Sequence, residues 1–264
     1  MTNAAGKCEK ARQLILRLLQ EQGTLVLDDA CAALRCSVAT VRRHFAELEQ
    51  QGLLIRTHGG ARALPPPRPD YSFATMSNEH AAAKRRIGAA AARLVRNGAN
   101  LFLDSGTTVF ECGKALAVRL RDGLGKLTLV TNSMAVGSTF PESCKVLLTG
   151  GLYRPQRMDL CGPVALEHLS RHHFTMAILG ADGLDEDGSL ATEDEDTGQL
   201  AAAAVAHSAR VLVLADSSKL FRPSFVTYAN LADPKVTLVT DRLLSAEKRQ
   251  LLDKLGVHYL LADE

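Results

Sequence analysis

The sequence predicts an α/β protein in two parts, an N-terminal winged helix-turn-helix joined to a larger, mostly parallel α/β domain. Three observations carry this. Val38, Val41, Phe45 and Leu48 recur at the three-and-four spacing of one buried helical face, and a short basic hairpin follows them. Pro65, Pro66, Pro67 and Pro69 crowd a segment that neither a helix nor a sheet interior accepts. Beyond them, short apolar runs without alternation are separated by helical stretches, the pattern of a parallel sheet covered on both faces. The boundaries read as residues 1–62 for the winged helix-turn-helix domain, 63–78 for a stiff, extended linker and 79–264 for the α/β domain. The 264-residue length suits that division.

In the first domain, residues 8–21 form a helix with Ala11, Leu14, Ile15, Leu18 and Leu19 on one face and Gly23 beyond its end. A second helix runs from about Asp28 to Leu34, its two aspartates near the positive end of the helix dipole. Arg35 and Cys36 make the turn. Ser37 is placed to cap the third helix by accepting a backbone N–H bond, and Gly52 to end it in the left-handed conformation. The apolar stripe leaves Thr40, Arg42, Arg43 and His44 projecting outward. Leu53–Ala63 reads as a two-stranded wing turning near Gly59 and Gly60. A helix that shows hydroxyl and guanidinium groups beside a basic hairpin suits double-stranded DNA.

In the second domain an Ala-rich helix spans Glu79–Arg96 and closes at Asn97-Gly98. Strands are expected at Asn100–Asp104, Leu127–Thr131, Lys145–Thr149, Met176–Gly180, Arg210–Ala215, Val236–Thr240 and His258–Leu261. Helices are expected between them at Val109–Arg121, Pro163–Arg171, Thr197–Ser208 and Ala246–Leu255. No internal repeat at a solenoid period is present.

The net charge of +2 is unevenly spread. Residues 1–62 hold nine Lys and Arg against six Asp and Glu, whereas residues 87–264 hold eighteen against twenty-one. The basic excess at the amino end fits a nucleic-acid partner. Six cysteines lie scattered without C-x-x-C pairs or zinc spacing, which reads as reduced, mostly buried thiols with neither a disulfide frame nor a metal site. No signal-peptide core and no run approaching 18 apolar residues is found, so a cytoplasmic protein without membrane contact is expected. The carboxylate runs Asp185-Glu-Asp187 and Glu193-Asp-Glu-Asp196 read as solvated loops.

Polar and glycine-rich residues follow five strands: Asp104-Ser-Gly-Thr-Thr108, Thr131-Asn-Ser133, Thr149-Gly-Gly151, Gly180-Ala-Asp-Gly183 and Asp216-Ser-Ser-Lys219. Ligands of open parallel sheets bind outside the carboxyl ends of the strands, so these five segments are expected to line one pocket. Ser105, Gly106, Thr107 and Thr108 open a helix, whose free N–H groups and hydroxyls favour an anion such as phosphate. Lys219 adds a positive charge. Asp104 and Asp182 accept hydrogen bonds and suit sugar hydroxyls. The sum describes a small phosphorylated polyol.

Across nearly its whole length the chain resembles the DeoR family of bacterial transcriptional regulators. The first-domain match is Val38-Ala-Thr-Val-Arg-Arg43, Glu47-Leu-Glu49, Gly52-Leu-Leu54 and Arg56-Thr-His-Gly-Gly-Ala61. The second-domain match is Leu103-Asp-Ser-Gly-Thr-Thr108, Val130-Thr-Asn-Ser133, Gly150-Gly151, Gly162, Leu179-Gly-Ala-Asp-Gly183, Leu214-Ala-Asp-Ser-Ser-Lys219 and Thr240-Asp241. The resemblance implies a ribose-5-phosphate-isomerase-like sensor domain that senses and does not convert. It also implies a homo-oligomer, dimer or tetramer, repressing a carbohydrate or sugar-acid utilisation operon until a phosphorylated sugar intermediate releases it. It carries Asp104, Gly106, Thr107, Thr108, Asp182 and Lys219 over as effector-site residues, with Thr131, Asn132 and Gly151 as neighbours. Two departures stand out. His44 replaces the family's usual Asp, and Asp196-Thr-Gly-Gln-Leu-Ala201 lacks a Lys the family usually carries there.

The expected mechanism is a ligand-responsive repressor without catalytic residues or a cofactor. The helix opened by Ser37 enters the major groove, where Thr40, Arg42 and Arg43 contact base edges or phosphates. His44 is a phosphate contact, a base contact or a packed surface residue. Arg56 and His58 of the wing touch the backbone or the neighbouring minor groove. The rival readings are an activator of the same class and a sugar-phosphate isomerase with a DNA-binding appendage, in which Asp182 and Lys219 serve as base and electrostatic partner.

Overall fold

The computed structural model describes residues 11–19, 22–57, 59–63 and 71–262. His58, the proline run and the start of the first helix lie outside the described residues. The chain divides into two units, Met1–Asp70 and Tyr71–Glu264.

In the first unit, helix α1 covers residues 11–19, followed by β1 (Thr24–Val26), α2 (Leu27–Leu34), α3 (Val38–Gln50), β2 (Leu54–Thr57) and β3 (Gly60–Ala63). Arg35 makes the turn between α2 and α3 in the left-handed conformation, at φ 50°. Ser37 Oγ accepts the Thr40 N–H at 3.4 Å as the cap of α3. Ile15, Leu19, Leu25, Ala30, Val41, Phe45, Leu48 and Leu54 form one core.

The expected two-stranded wing has a third strand. β1 pairs antiparallel with β3, so the sheet order is β1-β3-β2. Gly60 makes this possible: a Cβ there would stand 2.1 Å from the Leu25 carbonyl oxygen. The buried stripe of α3 is also rotated from its expected position. Val38 is 42% exposed, whereas His44 is only 3% exposed. Val41, His44, Phe45 and Leu48 are spaced i, i+3, i+4, i+7, and that full repeat carries His44 into the core side.

The second unit opens with α4 (Phe73–Asn78), capped by Ser72. The carboxyl half of the segment read as linker, residues 71–78, is therefore structured. Next come α5 (Ala81–Arg93), β4 (Asn100–Leu103), α6 (Thr107–Arg121), β5 (Thr128–Thr131), α7 (Met134–Gly137) and β6 (Lys145–Leu148). The hairpin β7 (Leu152–Arg154) and β8 (Asp159–Cys161) follows, then α8 (Pro163–Ser170), β9 (Met176–Gly180), β10 (Gly183–Leu184) and β11 (Ser189–Thr192). The chain ends with α9 (Glu195–Ala206), β12 (Val211–Leu214), β13 (Val226–Asn230), β14 (Val236–Thr240), α10 (Ala246–Leu255) and β15 (Tyr259–Leu261).

The seven expected strands form one parallel sheet in the order β15-β14-β12-β9-β4-β5-β6. Along β9, Ala177 and Leu179 point into the core shared with α8 and α9, while Met176 and Ile178 point into the core shared with α5 and α6. Both faces are thus covered, which is why the strands read as apolar runs without alternation. Two small antiparallel sheets, β7-β8 and β10-β11-β13, were not anticipated. From β4 the chain winds outward through β5 and β6; from β9 it winds the other way through β12, β14 and β15. The order reverses between β4 and β9, and that reversal opens a crevice at their carboxyl ends. Cys31, Cys36, Cys112, Cys144 and Cys161 are free thiols, and Cys112 and Cys161 are buried.

Candidate effector pocket and nucleic-acid interface

A pocket lies at this switch point, wholly within the second unit. Asp104, Ser105, Gly106, Thr107 and Thr108 line it after β4, Gly180–Asp182 after β9, and Asp216 and Lys219 after β12. Its cavity volume is about 50 Å³, and its mouth opens to solvent. Gly106 begins α6 without any side-chain cap, so the first N–H groups of that helix face the pocket free of a side-chain partner.

The carboxylates of the pocket are not equivalent. Asp104 is 5% exposed. Burial pushes its carboxyl up to about 6, against the pull of backbone hydrogen bonds from Ser105 and Gly180, and Asp159 and Asp182 add to the rise. Asp182 is held below its ordinary range. Burial alone would raise it, but Lys219 Nζ donates to its Oδ1 at 3.1 Å, and Thr192 Oγ1 and the Glu193 N–H donate to its Oδ2. Asp216 Oδ1 accepts from Ser218, while its buried Oδ2 has no hydrogen-bond partner.

Sequence reasoning missed Thr192, Thr197 and four more distant contributors to the pocket wall. Tyr71 and Met76 come from the segment read as linker, Lys84 from α5, and Arg157 from the turn of the β7-β8 hairpin. The Arg157 guanidinium lies 4.3 Å from the Tyr71 ring centroid and 3.4 Å from Asp194. Beneath it, Arg154 grips Asp159 with two parallel bonds of 2.8 and 2.7 Å. It also donates to Asp194 at 2.5 Å and to Thr197 at 3.0 Å, and Ser105 Oγ donates to Asp159 at 3.1 Å. Asp194 is therefore not part of a solvated acidic loop as expected: it caps α9 and closes this network. Asp185, Glu186 and Asp187 are exposed. The charged residues Lys84 and Arg157 carry no local motif, so only the fold brings them to the pocket.

Thr131, Asn132 and Gly151 do not line the pocket. They lie at or just after the ends of β5 and β6, on the far side of β4 from the switch point. Thr131 Oγ1 donates to the Leu103 carbonyl and accepts the Ser133 N–H, which ties β4 to β5. Asn132 is buried, and its backbone carbonyl accepts the Leu160 N–H. Gly151 has φ +104°, and a Cβ there would stand 2.4 Å from the Cys161 carbonyl oxygen. Asn132 and Gly151 thus meet the hairpin, while Thr131 braces the sheet. Ala201, in the stretch lacking the family's Lys, is buried in the core; Thr197 is the α9 residue that reaches the pocket. No group of three or more His, Cys, Asp or Glu among the described residues is placed to hold a metal ion.

In the first unit, Ser37, Arg42, Arg43 and Arg56 are exposed and Thr40 is half-buried. A groove between α3 and the wing is lined by Leu27, Arg42, Phe45, Arg56, Thr57 and Gly60, so it presents two guanidinium groups together. Glu49 holds Arg56 from the end of α3, at 2.9 Å from Nε and 3.0 Å from the backbone N–H. His44 does not join this surface. Its Nδ1 lies 3.8 Å from Glu47 Oε2 on the core side, and burial lowers its pKa more than Glu47 raises it. It is a packing residue.

The model of the DeoR C terminal sensor domain matches residues 79–242, and that of the DeoR-like helix-turn-helix domain matches residues 12–66. The HTH-type transcriptional repressor GlcR of Bacillus subtilis is 31% identical over 95% of this chain and 95% of its own. The HTH-type transcriptional regulator GlpR of Haloferax volcanii is 31% identical over 93% and 94%. The glycerol-3-phosphate regulon repressor of Escherichia coli is 30% identical over 83% and 85%. Among solved structures, ribose 5-phosphate isomerase A of Methanocaldococcus jannaschii aligns over 52% of this chain and 53% of its own, at 18% identity and a TM-score of 0.40. No helix among the described residues is long and apolar enough to cross a membrane. Matched in both units and in this order, the chain belongs to the DeoR family of DNA-binding transcriptional regulators.

Proposed function

We propose that the protein is a cytoplasmic repressor of a carbohydrate or sugar-acid utilisation operon, released from double-stranded operator DNA by a phosphorylated sugar or sugar acid. The observation that carries this reading is the switch-point pocket. Uncapped N–H groups of α6 and cationic side chains face buried aspartates there, a polarity that suits an anion bearing hydroxyl groups. Ser105, Gly106, Thr107 and Thr108 hold the anion, and Asp104, Asp182 and Lys219 set the hydroxyl end. Ser37, Thr40, Arg42, Arg43 and Arg56 form the DNA surface. On that DNA the protein acts as a homo-oligomer that meets repeated half-sites.

The same geometry weighs against Asp182 as the base of an isomerase. A catalytic base needs a carboxylate free to take a proton, and Asp182 already accepts from Lys219, Thr192 and the Glu193 N–H, which keeps it a weak base. An effector changes DNA occupancy only through its different affinity for the two states of the protein.

The test is a gel-shift titration of the protein on its own promoter-proximal DNA with a panel of sugar phosphates, alongside an assay for their turnover. Release by one member without turnover is the expected result. Turnover of that compound would reinstate the isomerase. Lys219→Ala is expected to bind DNA normally and to lose the response; an unchanged response at the same concentration would show the pocket to be misplaced.

A further inference from the structure

The second unit exposes nine large apolar side chains among its described residues, and six of them fall within residues 134–164. Met134 begins α7, Leu148 ends β6, Leu152 and Tyr153 lie on β7, Met158 sits in the hairpin turn and Val164 in the first turn of α8. They adjoin one another around the end of β6. The Tyr153 hydroxyl donates to Met158 Sδ at 3.4 Å, and the Met134 N–H donates to the Met158 carbonyl at 2.9 Å. A Cβ on Gly150 would touch Val164 at 3.9 Å, and one on Gly137, in α7, would stand 3.2 Å from Leu148. β6 is the last strand of the parallel sheet on this side, so the face borders a sheet edge, which proteins ordinarily cover or charge.

Charge does not protect this edge. Between Lys145 and Glu167 the only charged residues are Arg154, Arg157 and Asp159, and these pair with one another or with Asp194. The face therefore carries no unpaired charge, and it is rich in Met and Tyr, the composition of an interface core. Its six side chains expose roughly 500 Å², the size of the largest apolar patch on a monomer, which is often functional. Two copies meeting on it bury about 1,000 Å² from these side chains alone, which reaches the threshold of a specific interface. An uncharged face meets its own copy without repulsion, and a two-fold interface uses the same patch on both partners. A winged helix-turn-helix reads one half-site per copy, so pairing of copies is also what a repeated operator demands.

We propose that this face, formed by the end of β6, the β7-β8 hairpin and the starts of α7 and α8, is where two copies of the chain pair about a two-fold axis. The proposal rests on the reading of the protein as a homo-oligomer and names the surface that makes it one. The hairpin also carries Arg157 into the pocket wall, so the interface and the effector site share one element.

The test uses full-length protein and the variants Leu152→Asp, Val164→Asp and Phe225→Asp, with oligomer size followed by sedimentation velocity across a concentration series. Leu152 is 65% exposed, Val164 59% and Phe225 80%, so none of the three substitutions reaches the core; circular dichroism checks that each variant is folded. Phe225 lies outside the face and serves as the control. The wild type is expected to sediment as a dimer or a multiple of it at micromolar concentration. Leu152→Asp and Val164→Asp each place two carboxylates in the interface, one per copy, and raise its dissociation constant by roughly a hundredfold or more. Phe225→Asp associates as the wild type does. An oligomer that both Leu152→Asp and Val164→Asp leave intact overturns this face and leaves the homo-oligomer standing. Equal dissociation of Phe225→Asp overturns the face as well. A wild type that stays monomeric overturns the homo-oligomer and the interface together, and leaves the face to a different partner.

Discussion

Replacing Gly88 by alanine sets two effects against each other, and the structure decides between them. Gly88 lies in α5, where helix propensity alone favours alanine by ~1 kcal/mol. A Cβ there, however, would stand 2.5 Å from the backbone nitrogen of Cys112 and 2.7 Å from the carbonyl carbon of Glu111. Those are backbone atoms of α6, so no side chain can swing aside and the helices must part. Overpacking of this kind costs ~1–3 kcal/mol. Here the upper end applies, because separation also loosens Ile87, Ala91, Cys112 and Leu116, all fully buried between the helices and the sheet. Subtracting the propensity gain leaves a net loss of about 2 kcal/mol. At roughly 2–4 °C per kcal/mol for a domain of this size, Tm falls by about 4–8 °C. Thermal unfolding followed by circular dichroism measures it, and a Tm equal to or above that of the wild type would refute the reasoning. Lys84 sits one turn earlier on α5, and Thr107 and Thr108 open α6. Parting the helices therefore also weakens the response to effector at temperatures where the variant is folded.

Arg43→Ala is expected to cost ~1–3 kcal/mol of operator affinity and to lower the salt dependence of binding, with effector binding intact; unchanged gel-shift affinity would sink the recognition-helix assignment. His44→Ala is expected to destabilise the first unit by ~1–3 kcal/mol through an emptied core position while operator affinity persists in the folded protein; a stable variant that no longer binds DNA would put His44 back on the DNA surface. Asp104 carries a pH signature. Its folded value of about 6 lies above its unfolded value, so its contribution is complete at low pH and is lost as pH rises through about 6. Asp104→Asn should gain up to about 3 kcal/mol over the wild type at pH 8 and little at pH 4; equal gains in unfolding experiments at both would refute the displaced carboxyl.

The seven strands of the parallel sheet were legible because each is buried on both faces, and burial of that kind leaves a local trace in the sequence. Met176–Gly180 and Val236–Thr240 were bounded to the residue. The pocket-lining residues after β4, β9 and β12 were legible for the same reason, since polar turns stand out at the ends of apolar runs. Helix α4 was not, because six residues beside a proline run carry too little periodicity to separate helix from linker. His44 was misplaced because a polar residue on a buried stripe looks like a solvent-facing one until its neighbours are known.

The sequence by itself determined the classes of the two units, the order of the elements and the residue types offered at each strand end. These follow from local periodicity and composition, which chain neighbours alone set. Strand order was decided only by the tertiary structure. Five polar strand ends look alike in sequence, but the reversal between β4 and β9 gathers three of them around one crevice and leaves Thr131 to tie two strands and Asn132 and Gly151 to meet a hairpin. The same folding brings Tyr71, Lys84 and Arg157 to that crevice from three distant segments, because which side chains share a cavity depends on non-local packing.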